Sequence, residues 1–261
     1  MIIDIDKDRF DRQKRISGWR QAKLETVKPV VIGAGALGNE VVKLLLQLGV
    51  KKITIVDYDK VVKANLNRCL FFTEDDAERG ELKVKAIQRE AKKIYPDAAI
   101  AAVKKNVEEL DEKFFEEFDC AFGCLDNIGA RLQVNANCYA STPVIDGGTT
   151  GFLGKVQVVK KPSPCIECAL GKNDYAILWR KYSCVGEELD VIDPKTPALP
   201  TTTSWVASVQ INEFLKLLHE ESNWEKSAPH RNLVGKFMFY NGLANQSRVF
   251  TVEKRQGCPV H

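Results

Sequence analysis

The chain has 261 residues, 44% of them hydrophobic and 28% charged, which is ordinary globular composition and enough chain to bury a sizeable core. A net charge of +3 is too mild to argue for nucleic acid or an acidic membrane as partner, and no apolar run reaches the roughly 18 residues that a bilayer span needs. The N-terminal stretch MIIDIDKDRFDRQKR mixes charges and lacks an apolar signal core, so a cytoplasmic setting is expected, in which thiols stay reduced.

Residues 1–27 are charged with scattered apolar positions and are expected to be helical. KPVVIGAGALG follows, a short β-branched strand ending in glycines; NEVVKLLLQLGV then carries apolar residues at helical spacing with a glycine near its end. KKITIVDYD reads as a second strand, ELKVKAIQREAKKIYP as an amphipathic helix stopped by Pro96, and AAIAAV as a third strand. FDCAFGCLDN and TPVIDGG read as two more strands with the helix ARLQVNANCYAS between them. Strands alternating with helices imply an α/β fold with a doubly wound, mostly parallel, Rossmann-like sheet and right-handed crossovers.

The rhythm changes after about residue 147. GKVQVVK reads as an antiparallel strand. From Cys165 to Thr203 runs a long irregular crossover loop with Pro194, Pro197 and Pro200, a length that points to function or mobility. TTTSWVASVQINEFLKLLH is expected to be a helix that its threonines and Ser204 can cap, and KFMFYNG and QSRVFTVEK a closing hairpin. No linker rich in glycine or serine divides the chain. One domain over 1–261 is expected, with a helical segment at 1–27, a nucleotide-binding half at 28–147 and a second half at 148–261 that holds the crossover loop at about 165–203.

GAGALG places Gly33, Gly35 and Gly38 between a strand and a helix, with Asp57 at the end of the next strand. That is the setting of a dinucleotide-type site: a tight turn, close phosphate approach, a helix N-terminus, and an acid for ribose hydroxyls. An NAD-dependent oxidoreductase is the first reading, but it needs a histidine or lysine beside the nicotinamide, and no convincing candidate stands in the sequence. Asn65, Arg68, Lys83 and Asp126 argue for a triphosphate instead, because their strand ends face one edge of a parallel sheet. Attack on an α-phosphorus needs cations to offset charge on the transferring group and the leaving pyrophosphate, and a carboxylate to hold Mg²⁺.

The eight cysteines are read as ligands, nucleophiles or core residues before disulfides. Cys165 and Cys168 in PCIEC, with Cys258 and His261 in CPVH, form two C-x-x-ligand pairs and read as one structural, tetrahedral zinc site. The alternative is that Cys165 and Cys168 are buried thiols. Cys120, Cys124 and Cys138 are assigned to the core. Cys184 is different, since it lies in the polar crossover stretch with Arg180 and Lys181 before it, and nearby cations favour a thiolate. No His and Asp pair stands near it to make a protease-type triad, and His219 and His230 are read as surface residues.

DRFDRQKRI, GAGALGNE, VDYDKVVKANLNR, LKVKA and CLDN, in this order and over nearly the whole chain, resemble the ubiquitin-activating enzymes and their bacterial relatives MoeB and ThiF. The resemblance implies that ATP adenylates the C-terminal glycine of a small β-grasp protein and that pyrophosphate leaves. It implies Asp57 on the ribose, Asn65, Arg68 and Lys83 on the phosphates, and Asp126 on magnesium. Arg12 matches an arginine that in homodimeric relatives reaches the partner subunit's ATP. Many members carry two C-x-x-C pairs at the places of the zinc set, with His261 standing for the fourth cysteine. Cys69 departs from the family's usual glutamine and is expected to pack locally.

Members that form a thioester carry their cysteine in the crossover region, where ThiF-like members carry one for sulfur chemistry. ALPTTTSWVAS also resembles the segment after the catalytic cysteine of the ubiquitin-fold-modifier activating enzyme. The expected activity is therefore ATP-dependent activation of a small ubiquitin-like protein ending in Gly-Gly, followed by thioester formation on Cys184 and transfer to a conjugating enzyme. The alternative is adenylation of a sulfur carrier, with a sulfur donor completing a thiocarboxylate and no enzyme thioester. The chain is too short for a separate large cysteine domain, which leaves both versions open. ATP, Mg²⁺ and Zn²⁺ are the implied cofactors, and a homodimer without nucleic acid or membrane partners is the implied assembly. A binding-only relative would be expected to lose Arg68, Lys83 or Asp126, and all three are present.

Overall fold

The computed structural model describes residues 8–171, 197–220 and 232–261. One eight-stranded sheet runs through them in the order β3-β2-β1-β4-β5-β6-β7-β8. Strands β1 (Pro29–Ile32), β2 (Lys52–Val56), β3 (Ala99–Val103), β4 (Cys120–Gly123) and β5 (Val144–Thr150) pair in parallel. β6 (Leu153–Val159), β7 (Lys236–Asn241) and β8 (Gln246–Thr251) extend the sheet antiparallel, as the change of rhythm predicts. β1 and β4 are buried at every position, which is why PVVI and CAFG read as unbroken apolar runs rather than alternating ones.

Helices cover both faces. Val31, Ile53 and Ile55 point into one core with α3 (Ala36–Leu48), α5 (Lys83–Ile94) and α8 (Pro200–Leu218). Val30, Ile32 and Val56 point into the other, beside α6 (Glu112–Phe115) and α7 (Ile128–Cys138). This alternation is the two-residue period of a strand made physical. β1 pairs with β2 on one side and β4 on the other, so the chain reverses its direction of winding between β1 and β4. A crevice outside the carboxyl ends of those strands is where such a sheet takes ligands. Among the described residues no helix is long and apolar enough to cross a membrane.

Three local readings change. The helical segment expected over 1–27 is reduced, in its described part, to α1 (Asp11–Lys14) and α2 (Gln21–Thr26), with Gly18 between them at a φ of +81°. The segment wraps the end of α3 instead: Gln13 and Gln21 both donate to the Leu48 carbonyl, at 3.0 and 2.9 Å, serving an acceptor the helix cannot satisfy itself. α8 begins without a side-chain cap, at Pro200 in its first turn, where a missing N–H costs nothing; Thr203 bonds back to the Leu199 carbonyl at 2.8 Å. α4 (Glu74–Arg79), closed by a Thr73 cap and Gly80, was not read from the sequence at all.

His219 is a buried residue, at 2% exposure, not the surface residue expected. Its ring lies against Trp19 and its Nε2 accepts the Arg20 N–H at 3.1 Å, so Nδ1 carries the proton toward the Leu215 carbonyl at 3.0 Å. Burial, joined by the charges of Lys23 and Arg20, holds its pKa below the ordinary histidine value. Because the folded value is the lower one, this contribution to stability is complete above about pH 6.5 and is lost as pH falls through the folded pKa. His219→Gln is expected to flatten the fall in melting temperature between neutral pH and about pH 5, read by thermal melts across that range. His230 lies outside the described residues.

Candidate functional site

The glycine turn is built by close backbone approach. Gly33 follows β1 with a φ of +98°, and a Cβ there would stand 2.5 Å from the Cys124 carbonyl oxygen. A Cβ on Gly38 would stand 2.0 Å from the Gly33 carbonyl oxygen, so both positions exclude side chains for packing reasons alone. Gly35 differs, because among the described residues nothing lies within 4 Å of its would-be Cβ. It caps α3 without a side-chain bond, leaving open space before the helix's N-terminal amides, the arrangement that receives a phosphate. Asn39, fully buried, fixes the turn: its Nδ2 donates to the Ala34 and Gly35 carbonyls at 2.9 Å each, and its Oδ1 accepts the Phe71 N–H at 3.0 Å. This residue was missed in the sequence, where its signal was a polar side chain on the apolar face of a helix.

Asp57 closes the far side of the turn. Its Oδ2 accepts the Ala34 N–H and its Oδ1 the Asp59 N–H, both at 2.7 Å. Burial pushes its carboxyl up, against the lowering pull of the Lys83 charge and those two amides. Lys83 opens α5 and is itself buried, with its ammonium on Asp59 Oδ2 at 2.6 Å and its N–H on the Asp59 carbonyl at 3.0 Å. Burial alone would lower its pKa, but the charges of Asp57 and Asp59 prevail and raise it, so Lys83 stays cationic. Asp59 was not singled out in the sequence.

Asn65 ends a single 3₁₀ turn, Lys63–Asn65, and its Oδ1 accepts the Val62 N–H at 3.1 Å. Arg68 follows one turn later, its Nη1 donating to the Ala64 carbonyl and to Asn67 Oδ1, the latter at 2.9 Å. Asp126 stands exposed just past β4. It is near enough to Tyr58 to join Asp59 and Asp57 in raising that phenol's pKa. The structure therefore brings Gly33, Gly35, Gly38, Asp57, Lys83 and Asp126 to one edge of the sheet, with Asn65 and Arg68 in the segment that follows Asp57.

Arg12 is not part of that group. It sits on α1, its Nη1 on Asp11 Oδ2 at 2.6 Å, in the segment that wraps the C-terminal end of α3. The N-terminal end of α3, where the glycine turn lies, is 13 residues away along the helix, about 20 Å. Cys184 lies outside the described residues. A few residues past Asp126 the fold adds a part-buried ion pair that the sequence did not announce. Arg131 on α7 holds both oxygens of Asp146 on β5, with Nε at 3.0 and 3.2 Å and Nη2 also on Oδ2. Gln210 on α8 donates to the Gly123 and Ile145 carbonyls at 3.1 and 2.8 Å, fastening the ends of β4 and β5 together.

At the other end of α7 the four predicted ligands meet. The ligand atoms of Cys165, Cys168, Cys258 and His261 all lie within 4.8 Å of one another. Sγ of Cys165 is 3.9 Å from that of Cys168 and 3.6 Å from that of Cys258, and Cys168 Sγ is 3.2 Å from His261 Nε2. A tetrahedral ion with metal–sulfur bonds near 2.3 Å puts its sulfurs about 3.8 Å apart, so these distances suit one four-coordinate ion. Burial pushes the Cys165 thiol up to about 12. Cys168 goes the other way: burial would raise it, but the Arg255 N–H at 3.4 Å from its sulfur and the neighbouring cysteines bring it down. Tyr139, just past α7, stacks on His261 with ring centroids 5.0 Å apart. Cys120, Cys124, Cys138 and Cys69 are buried, as expected.

Residues 10–260 match the family described as the ThiF family. The chain is 27% identical over 269 residues to a molybdopterin-synthase adenylyltransferase of Escherichia coli, a match covering 99% of this chain and 98% of that protein. It is 28% identical over 264 residues to the sulfur carrier protein ThiS adenylyltransferase of the same organism, covering 98% and 96%. Against SUMO-activating enzyme subunit 2 of Dictyostelium discoideum identity rises to 37% over 150 residues, which span 56% of this chain but only 22% of that protein. Among solved structures, E. coli MccB with AMPCPP and MccA superposes with a TM-score of 0.76 at 20% identity, over 98% of this chain and 75% of that one, a likeness of fold.

Proposed function

The chain belongs to the ThiF family, and from that premise we propose that it is an ATP-dependent adenylyltransferase acting on the C-terminal carboxylate of a small ubiquitin-like or sulfur-carrier protein. The observation that carries this reading is the meeting of Lys83, Asp57 and Asp126 with the open glycine turn at one sheet edge. Two relatives matched over nearly their whole length bear adenylyltransferase names, which supports it.

In the proposed reaction a carboxylate oxygen of the carrier attacks the α-phosphorus of ATP. A new acyl–O–P bond forms, the bond to the β-phosphate oxygen breaks, and pyrophosphate leaves with its electron pair. No general base is required, because the nucleophile is already ionised at neutral pH; the protein supplies position and charge. The Gly35 turn and the α3 amides receive phosphate oxygens, Lys83 and Arg68 offset their charge, and Asp57 takes the ribose. Asp126 would hold magnesium, which supplies further neutralisation of the phosphates when bound. Arg12, turned away from its own chain's site, is assigned to the nucleotide of a second copy in a homodimer. Exchange of labelled pyrophosphate into ATP tests the reading: it should require a carrier ending in Gly-Gly, and its absence with SUMO, ThiS and a molybdopterin-synthase carrier alike would contradict it.

For the metal cluster we propose zinc, since three thiolates and an imidazole at four-coordinate spacing are a structural zinc set. For Cys184 we propose acceptance of the acyl group: its thiolate attacks the adenylate carbonyl, a thioester forms and AMP leaves. The second reading, in which a sulfur donor takes the adenylate and no enzyme thioester forms, is favoured by the near-complete coverage of the sulfur-carrier and molybdopterin relatives. Enzyme, ATP and carrier run on a non-reducing gel separate the two. A thiol-sensitive adduct that disappears in Cys184→Ala is the expected result, and an adduct pattern unchanged by that substitution rules Cys184 out as acceptor.

A further inference from the structure

Asn135 lies on α7, fully buried, toward the end of the helix that meets the metal cluster. Its Oδ1 accepts the N–H of Ile166 at 2.9 Å, the residue between Cys165 and Cys168 in sequence. That bond settles the orientation of the amide, because the oxygen must face the Ile166 N–H. The Nδ2 group on the other side is then buried with no hydrogen-bond partner among the described residues. A buried donor left without an acceptor is costly, and native structures rarely keep one without a reason. The group beside it is Cys165, itself fully buried and packed in one cluster with Val134, Cys138 and Tyr139, the residues that flank Asn135 on and just past α7. A neutral thiol is a weak acceptor, whereas a thiolate on a metal is a strong one.

We infer that Asn135 is a positioning residue of the metal site: its Oδ1 holds the Cys165–Cys168 turn through the Ile166 amide, and its Nδ2–H donates to the metal-bound thiolate of Cys165. The inference rests on the metal reading proposed above. The turn is held from the opposite side as well, since Gln157 on β6 donates to the Cys165 carbonyl at 3.2 Å. Cys165 is thus fixed at its carbonyl, at its neighbour's amide and at its sulfur, while Cys168 takes the Arg255 N–H. Partners of this outer kind orient ligands and tune the bound ion.

The test uses Co²⁺ as the probe, because its thiolate charge-transfer band reports on the sulfurs directly. Asn135→Asp keeps the shape and the acceptor for Ile166 but places a carboxylate where the donor stood. It is expected to weaken Co²⁺ binding by roughly 10–100-fold in competition with a chelator and to shift that band. A role confined to packing would lower the melting temperature and leave the band where it is. Wild-type protein that binds neither Co²⁺ nor Zn²⁺ would overturn the metal reading together with the inference. Wild-type protein that binds, with Asn135→Asp equal to it in affinity and spectrum, would overturn the inference alone. Should the variant not fold, the wild-type side-chain amide resonance of Asn135 decides: it should move downfield when Zn²⁺ is added, and an unmoved resonance overturns the inference.

Discussion

Asp126→Ala should lose ATP–pyrophosphate exchange by on the order of 10²–10³-fold, the scale on which removing one preorganised electrostatic contact acts. Asp126 is exposed and makes no hydrogen bond or ion pair among the described residues, so none of their packing depends on its carboxylate. A surface substitution of this kind changes stability by about 0.5 kcal/mol at most. The prediction is therefore a split: the melting temperature of the variant matches wild type while exchange collapses. Asp126→Asn keeps the shape without the charge and is expected to be nearly as inactive. Exchange at the wild-type rate in either variant would remove magnesium holding from Asp126. The contrast is Arg131, a few residues on, whose two-point contact with buried Asp146 makes it a structural member of the same edge. Losing one partner of a buried pair strands the other charge, so an Arg131 variant is expected to fall in stability and exchange together.

Loss of the metal is expected to act in the opposite way, on stability first. A ligand present at about 1,000 times its dissociation constant stabilises the fold by about 4 kcal/mol, which for a chain of this size moves the melting temperature by roughly 8–16 °C. Cys258→Ser, or prolonged chelation of the wild-type protein, should produce a fall of that order and abolish bound zinc by elemental analysis. The reason is topological. Cys258 and His261 follow the last strand, Cys165 and Cys168 follow β6, and the proposed ion would tie together Cys165 and Cys258, 93 positions apart in sequence. Exchange measured well below the lowered melting temperature should persist, because the cluster and Asp126 stand at opposite ends of α7, 11 residues or about 16 Å apart. A fall in exchange without a fall in melting temperature would contradict a purely structural ion.

The parts of this molecule legible in the sequence are those that carry a period or a spacing. Alternating strands and helices, the three glycines between β1 and α3, and the paired C-x-x ligands were all readable, and the last came together across nearly the whole length of the second half. What escaped were polar contacts that only the tertiary fold creates. Asn39 looks like one more residue in NEVVKLLLQLGV until the turn closes over it. Asp146 sits inside VIDGG, where nothing marks a buried carboxylate, and its partner Arg131 is 15 residues earlier on another element. His219 reads as a surface residue because a histidine at the end of an amphipathic helix ordinarily faces water; here the N-terminal segment packs Trp19 and Arg20 over it. Arg12 could be matched to a role by resemblance alone, since no spacing within one chain predicts an arginine at the wrong end of α3.

The central claim is the transfer of AMP to a carrier's C-terminus, and the most direct measurement is to follow the α-phosphate. With ATP labelled at that phosphorus, Mg²⁺, and SUMO or ThiS ending in Gly-Gly as the carrier, label should appear on the carrier as an acyl-adenylate. Hydroxylamine should release it, and Asp126→Ala should abolish it. Label that remains entirely in ATP with each of these carriers, under conditions where the protein binds the nucleotide, would contradict the account.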